Sequence, residues 1–132
     1  MDAAQALADL TEISSQIEAA VLFAEDGSVQ GSTLSDEAVS AELAKGALEL
    51  LSGAGSFRSE GGAAVTQLEA SGPDGSVFVV RSMAGGIVAV TGPQPTVGLV
   101  FYDLKSALRS AGTEEQPKPR RRRKTEESGD AA

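Results

Sequence analysis

The alternation of apolar and polar positions divides the chain into helices and strands. Ala6, Leu7, Leu10, Ile13 and Ile17 recur three or four apart, which predicts an amphipathic helix over residues 3–17. Asp2 stands where an N-cap side chain accepts a backbone hydrogen bond. Ala19 to Ala24 is a continuous apolar run rich in strand formers, and a shorter run goes from Val29 to Thr33. Glu25-Asp26-Gly27-Ser28 lies between them. Asp-Gly between two such runs predicts a hairpin, because Gly27 takes a positive φ at no steric cost.

A second helix is expected from Ser35 as its cap, with Asp36 and Glu37 in the first turn, where the helix dipole favours acid. It should run to about Ser52 and stop at Gly53-Ala54-Gly55. On a helical wheel Val39, Leu43, Gly46 and Leu50 share one side, and Ala44, Ala47, Leu48 and Leu51 fill the next. Glu42, Lys45 and Glu49 mark the wet face. The apolar arc is wider than one core-facing stripe requires, so this helix wants two partners: its own sheet and something else. Gly46 in mid-helix costs about 1 kcal/mol relative to Ala. Close approach of a partner helix would account for it, as would packing against the sheet; the width of the arc favours the first.

Three strand-like runs follow: Ala63 to Ser71, Val77 to Met83, and Ile87 to Thr91. Gly72-Pro73-Asp74-Gly75 and Ala84-Gly85-Gly86 join them with hairpin chemistry. "VFVV" and "IVAV" do not alternate, so these strands are expected to be buried on both faces, with helices covering both sides of the sheet. "VTQLEAS" is more polar and fits an edge strand, or one that pairs across an interface. Pro93 and Pro95 precede a third helix with the stripe Val97, Val100, Phe101, Leu104, Ala107 and Leu108, ending near Ala111-Gly112. The expectation is an α+β domain over residues 1–111, in the order α-β-β-α-β-β-β-α with a five-stranded antiparallel sheet. A polar tail without apolar periodicity, residues 112–132, should be disordered.

Composition narrows the chemistry. The 132 residues contain no cysteine and no histidine, which removes disulfides, thiolate sites, the commonest general base and the commonest zinc ligand. No apolar run reaches the roughly 18 residues of a membrane span, and Met1-Asp2 opens no signal-peptide pattern, so a cytoplasmic protein is expected. Residues 1–111 carry 5 Lys/Arg against 14 Asp/Glu, while residues 112–132 carry 6 against 5. An acidic body does not attract DNA. Glu25 and Asp26 are neighbours on a turn, whereas paired catalytic carboxylates need separate positions facing one substrate. "GPDGS" lacks the spaced ligands of a calcium loop, and "GSTLS" and "GAGS" lack the Lys of a phosphate loop. "AGGIVAV" puts its glycines before a strand, where a dinucleotide fingerprint puts them after one. No catalytic residue, cofactor or metal is therefore expected.

The order of elements, "LTEISSQIEAAVLFAEDGSV" at the start and "VGLVFYDLKSALR" near the end, with Gly98 close to the start of the last helix, resembles the Roadblock / dynein light chain superfamily, with its profilin-like architecture. Where that family usually has Pro-Gly before the first strand, this chain reads Gln16-Ile17-Glu18. The resemblance covers about residues 3–111. It implies a homodimer in which the second helices pack on each other and the middle strands pair across the two-fold into one long sheet. Val39, Leu43, Gly46 and Leu50 would lie at that interface. It also implies a Ras-like small GTPase as partner, regulated or held on a platform, with hydrolysis stimulated by reshaping the GTPase's own site rather than by an inserted arginine. Of Arg58, Arg81 and Arg109, only Arg58 falls in a loop where an arginine finger could stand; a solvated loop charge is the favoured reading.

Lys118, Arg120, Arg121, Arg122, Arg123 and Lys124 form the one strongly basic run, in "PKPRRRRK". It could hold anionic lipid, giving a peripheral place at the membrane, or RNA or an acidic partner. Acidic flanks at Glu114-Glu115 and Glu126-Glu127 dilute its field, so a solvated tail is favoured. The expected function is a non-enzymatic dimeric regulator or scaffold of a small GTPase in bacterial signalling or polarity. The alternative is a dimeric tethering module anchored by its basic tail.

Overall fold

A computed structural model of the chain describes residues 2–57, 65–83 and 85–115. The elements are α1 (Ala3–Ile13), β1 (Ile17–Ala24), β2 (Val29–Ser32), α2 (Glu37–Gly55), β3 (Gln67–Gly72), β4 (Gly75–Ser82), β5 (Gly85–Thr91) and α3 (Val97–Glu115). All neighbouring strands are antiparallel, in the spatial order β2-β1-β5-β4-β3. The fold class and element order are those the sequence predicts.

Burial separates two apolar clusters, one on each face of the sheet. Leu7 and Leu10 of α1 and Val100, Leu104 and Ala107 of α3 pack on Ala20, Leu22, Phe78, Val80, Ile87 and Ala89. Phe101 of α3 meets Phe78 edge-to-face, with ring centroids 5.0 Å apart and planes at 76°, a favoured aromatic geometry. On the other face Ala44, Ala47 and Leu51 of α2 pack on Val21, Phe23, Val79 and Val88. Alternate residues of β1, β4 and β5 thus point into different cores, which is why their sequences read as unbroken apolar runs.

Several boundaries differ from expectation. α1 ends at Ile13, not at residue 17. The Ser14 N–H still donates to the Leu10 carbonyl, but Ser14 is already extended. Ile17 pairs with Thr91 on β5, and Ile13 is left 72% exposed. The cap of α2 is Asp36, not Ser35: its Oδ1 accepts from the N–H groups of Ala38 and Val39 at 2.9 and 3.2 Å. α2 runs through Gly53 and Gly55, and α3 passes Gly112 to Glu115. A Cβ at any of these three glycines would meet nothing within 4 Å, so no contact there demands a break. β3 begins at Gln67; residues 63 and 64, which the sequence assigns to it, lie outside the described residues.

The hairpins close tightly. Gly72 pairs with Gly75 around Pro73-Asp74, and Ser82 pairs with Gly85. A Cβ on Gly75 would run into the Thr91 carbonyl oxygen, and one on Gly85 into that of Phe23. These glycines are required by backbone crossing at close range. The Thr96 N–H donates to Gln16 Oε1 at 2.6 Å, tying the entry of α3 to the start of β1.

Candidate interaction surface

α2 lies over one face of the sheet and turns a second apolar side outward. Ala44, Ala47 and Leu51 are buried against the strands, whereas Val39 and Leu50 are 44% and 42% exposed. Leu43 stands between these extremes, half-buried against the α2-side cluster. A Cβ on Gly46 would touch nothing within 4 Å. Gly46 is therefore not fitted against its own sheet. Leu43, Gly46, Ala47 and Leu50 border a groove of 420 Å³ whose floor includes Val77 and Val88, with Glu42 and Glu49 at its rim.

Sheet order explains why this groove exists. α2 packs over β1, β2 and β5, while β4 and β3 extend beyond it. Val77, Leu68 and Val65 on that side are only partly buried. β3 ends the sheet, and its outer edge pairs with no strand among the described residues. It carries Gln67, Glu69 and Ser71, and the Ser71 hydroxyl donates to the Glu69 carboxylate. One apolar helix face, one apolar strip of sheet and one open strand edge thus adjoin each other. The floor residues Val77 and Val88 are expected in buried strands but not at the interface; an unbroken apolar run marks them as buried without revealing which helix faces them.

The acidic turn lies at one end of this face and is fully occupied with its own geometry. Asp26 Oδ1 accepts from the Ser28 N–H at 2.9 Å and from the Ser28 hydroxyl at 2.7 Å. These bonds hold the Asp26 carboxyl below its usual range. Gly27 takes φ +92°, and its Cβ position lies 2.9 Å from the Leu48 side chain, so the turn tucks against α2. Glu25 is exposed beside it. The turn sets the hairpin and brings no second carboxyl toward a shared substrate.

The remaining candidates are dispersed. The Arg81 side chain donates to the Val65 carbonyl at 3.0 Å, and Arg109 lies exposed on α3. Arg58 lies outside the described residues, as do Lys118, Arg120, Arg121, Arg122, Arg123 and Lys124. Among the described residues no group of three or more Asp and Glu side chains is placed to hold a metal ion, and no helix is long and apolar enough to cross a membrane.

This arrangement, a five-stranded antiparallel sheet with α2 on one face and α1 and α3 on the other, is the Roadblock/LC7 fold. A Roadblock/LC7 domain from Streptomyces avermitilis superposes with a TM-score of 0.76 at 19% identity, over 87% of this chain and 98% of that one. The gliding protein MglB from Thermus thermophilus gives 0.64 at 18% identity, over 86% of this chain and 90% of that one. A structure described as MglB with tetrameric arrangement gives 0.66 at 16% identity, over 86% and 88%. No family model and no curated protein matches the sequence. At these identities what the chains share is the fold.

Proposed function

We propose that the chain is a non-enzymatic, homodimeric regulator or scaffold of a Ras-like small GTPase in bacterial signalling or polarity, with stimulation of GTP hydrolysis as one form of that regulation. The observation that carries this reading is the outward face of α2. Val39 and Leu50 are exposed, Gly46 has open space around it, and the groove beside them reaches Val77 and Val88. A symmetric partner helix seated there would bury apolar surface at about 25 cal/mol per Å². Two open β3 edges meeting at the same two-fold would add main-chain hydrogen bonds. The tetrameric MglB structure supports self-association as a habit of this fold. The family resemblance and the MglB neighbours support a GTPase as partner. The composition supports a non-catalytic role, since a chain without histidine or cysteine regulates more readily through surfaces than through chemistry.

A pull-down and hydrolysis assay with Ras-like GTPases of the same organism tests the reading. Binding that depends on the bound nucleotide, or a change in hydrolysis rate, is the expected result. Neither, with every such GTPase, would sink it. The second reading, a tether anchored through Lys118 to Lys124, is favoured by one feature, the run of five consecutive basic residues from Arg120 to Lys124. Binding to anionic vesicles or RNA that vanishes when residues 113–132 are removed would mark that reading instead.

A further inference from the structure

We infer that the groove between α1 and α3 is a docking site for this chain's own basic run, Lys118 to Lys124, with Asp103 as its anchor. Asp103 stands within α3 and is only 7% exposed. Its carboxylate makes no hydrogen bond or ion pair among the described residues. A buried carboxylate without a partner is costly, and a guanidinium or ammonium group relieves that cost through a charge-assisted hydrogen bond.

The groove shows where such a cation would enter. It has a volume of 290 Å³, and Asp103 lines it together with Asp9 of α1. Asp9 is half-buried; its Oδ1 accepts from Gln5 Nε2 at 3.0 Å, and its charge adds to that of Asp103. Ala6, Ser106 and Ala107 on the walls are small and leave the space between the helices open. Ile13 and Tyr102, both largely exposed, border the same groove. They offer an apolar surface to the stem of an arginine and an aromatic face to its guanidinium. Small-molecule pockets run from about 300 Å³ upward and are mostly apolar. This narrower acidic groove suits basic side chains entering from a segment laid along it.

Charge and reach name the segment. Lys45, Arg81, Lys105 and Arg109 are absent from the lining, so none of these cations answers Asp103. The one strongly basic run follows α3 directly in the sequence. From Glu115 back to Asp103 is twelve helical residues, about 18 Å. Six extended residues span about 20 Å, which brings the stretch around Arg121 level with Asp103 if the chain doubles back. Pro117 and Pro119 favour such a change of direction, because proline does not continue a helix. A tethered run meets the groove at an effective concentration of about millimolar, so modest affinity suffices. Docking would hold the run away from anionic lipid or RNA. The groove lies on the sheet face opposite α2, so the inference rests on neither the dimer nor the GTPase reading.

The test uses the absence of native cysteine. Thr125→Cys in the full chain carries a nitroxide label, and NMR reads the broadening of backbone amides. Amides of Asp9, Ile13, Asp103 and Ser106 should broaden, and those of Glu42 and Glu49 on α2 should not. Asp103→Asn should abolish the difference between the two faces. Arg121→Glu with Arg122→Glu should do the same, and keeps the test valid if the core variant unfolds. Equal broadening of the two faces would overturn the inference, as would no broadening, or broadening unchanged in Asp103→Asn. Labelled chain mixed with unlabelled, isotope-enriched chain should leave the groove sharp; broadening there as strong as within one chain would place another copy's tail in the groove and overturn it. A tetra-arginine peptide that shifts Asp9 and Asp103 while the tail stays free would make the occupant a partner's basic segment, and overturn it too.

Discussion

At the scale of the residue, Asp26 and Gly85 each serve the fold, one by hydrogen bonding and one by the space it leaves. The Asp26 carboxylate accepts two hydrogen bonds from Ser28, which favour its ionised form. Its folded-state pKa is therefore below the unfolded value. The turn gains stability from it above the unfolded pKa, and loses that stability as pH falls through the lowered folded value. Carboxyl titration followed by NMR should give an Asp26 midpoint below the ordinary aspartate value, and Ser28→Ala should move it upward. An unchanged midpoint in Ser28→Ala would mean that the hydroxyl bond is not formed in solution. Gly85 illustrates a steric demand instead. An added methyl group would strike the Phe23 carbonyl on β1 and force β5 away from it. Gly85→Ala should cost about 2 kcal/mol, a fall in Tm of about 8 °C. Thermal unfolding within 2 °C or so of the parent chain would refute so close a crossing.

At the scale of the element, α2 carries the case for association, and the structure sharpens which of its residues should be changed. Leu43 contributes to the chain's own core, so replacing it confounds folding with association. Val39 and Leu50 are each more than two-fifths exposed and can be charged without opening the core. Val39→Asp with Leu50→Glu should halve the solution mass and leave the circular dichroism spectrum and Tm nearly unchanged, because surface substitutions shift stability by about 0.5 kcal/mol or less. A dimer that survives both changes would move the interface away from α2. The outward face of this helix was legible in the sequence because a 3.6-residue period fixes which side chains lie together. The end of α1 was not. Ile17 stands four after Ile13, as a helix would have it, yet its pairing with Thr91 is set by a strand more than seventy residues away. The groove floor at Val77 and Val88 was equally hidden, since it depends on sheet order. Ser35 and Asp36 are adjacent residues of good capping type, and only the hydrogen bonds distinguish them.

At the scale of the whole molecule, two faces differ in character. The α2 side offers an apolar strip, an open β3 edge and an acidic rim. The α3 side carries Lys105 and Arg109 one turn apart on its exposed surface. A symmetric pair formed through α2, as proposed, would present each surface twice. The most direct measurement is the light-scattering mass of the full chain mixed with a Ras-like GTPase of the same organism, loaded either with GDP or with a non-hydrolysable GTP analogue. The expected result is a complex containing two copies of the 13.4 kDa chain together with GTPase in one nucleotide state and not in the other. A chain that elutes alone at its monomer mass in both states would contradict it.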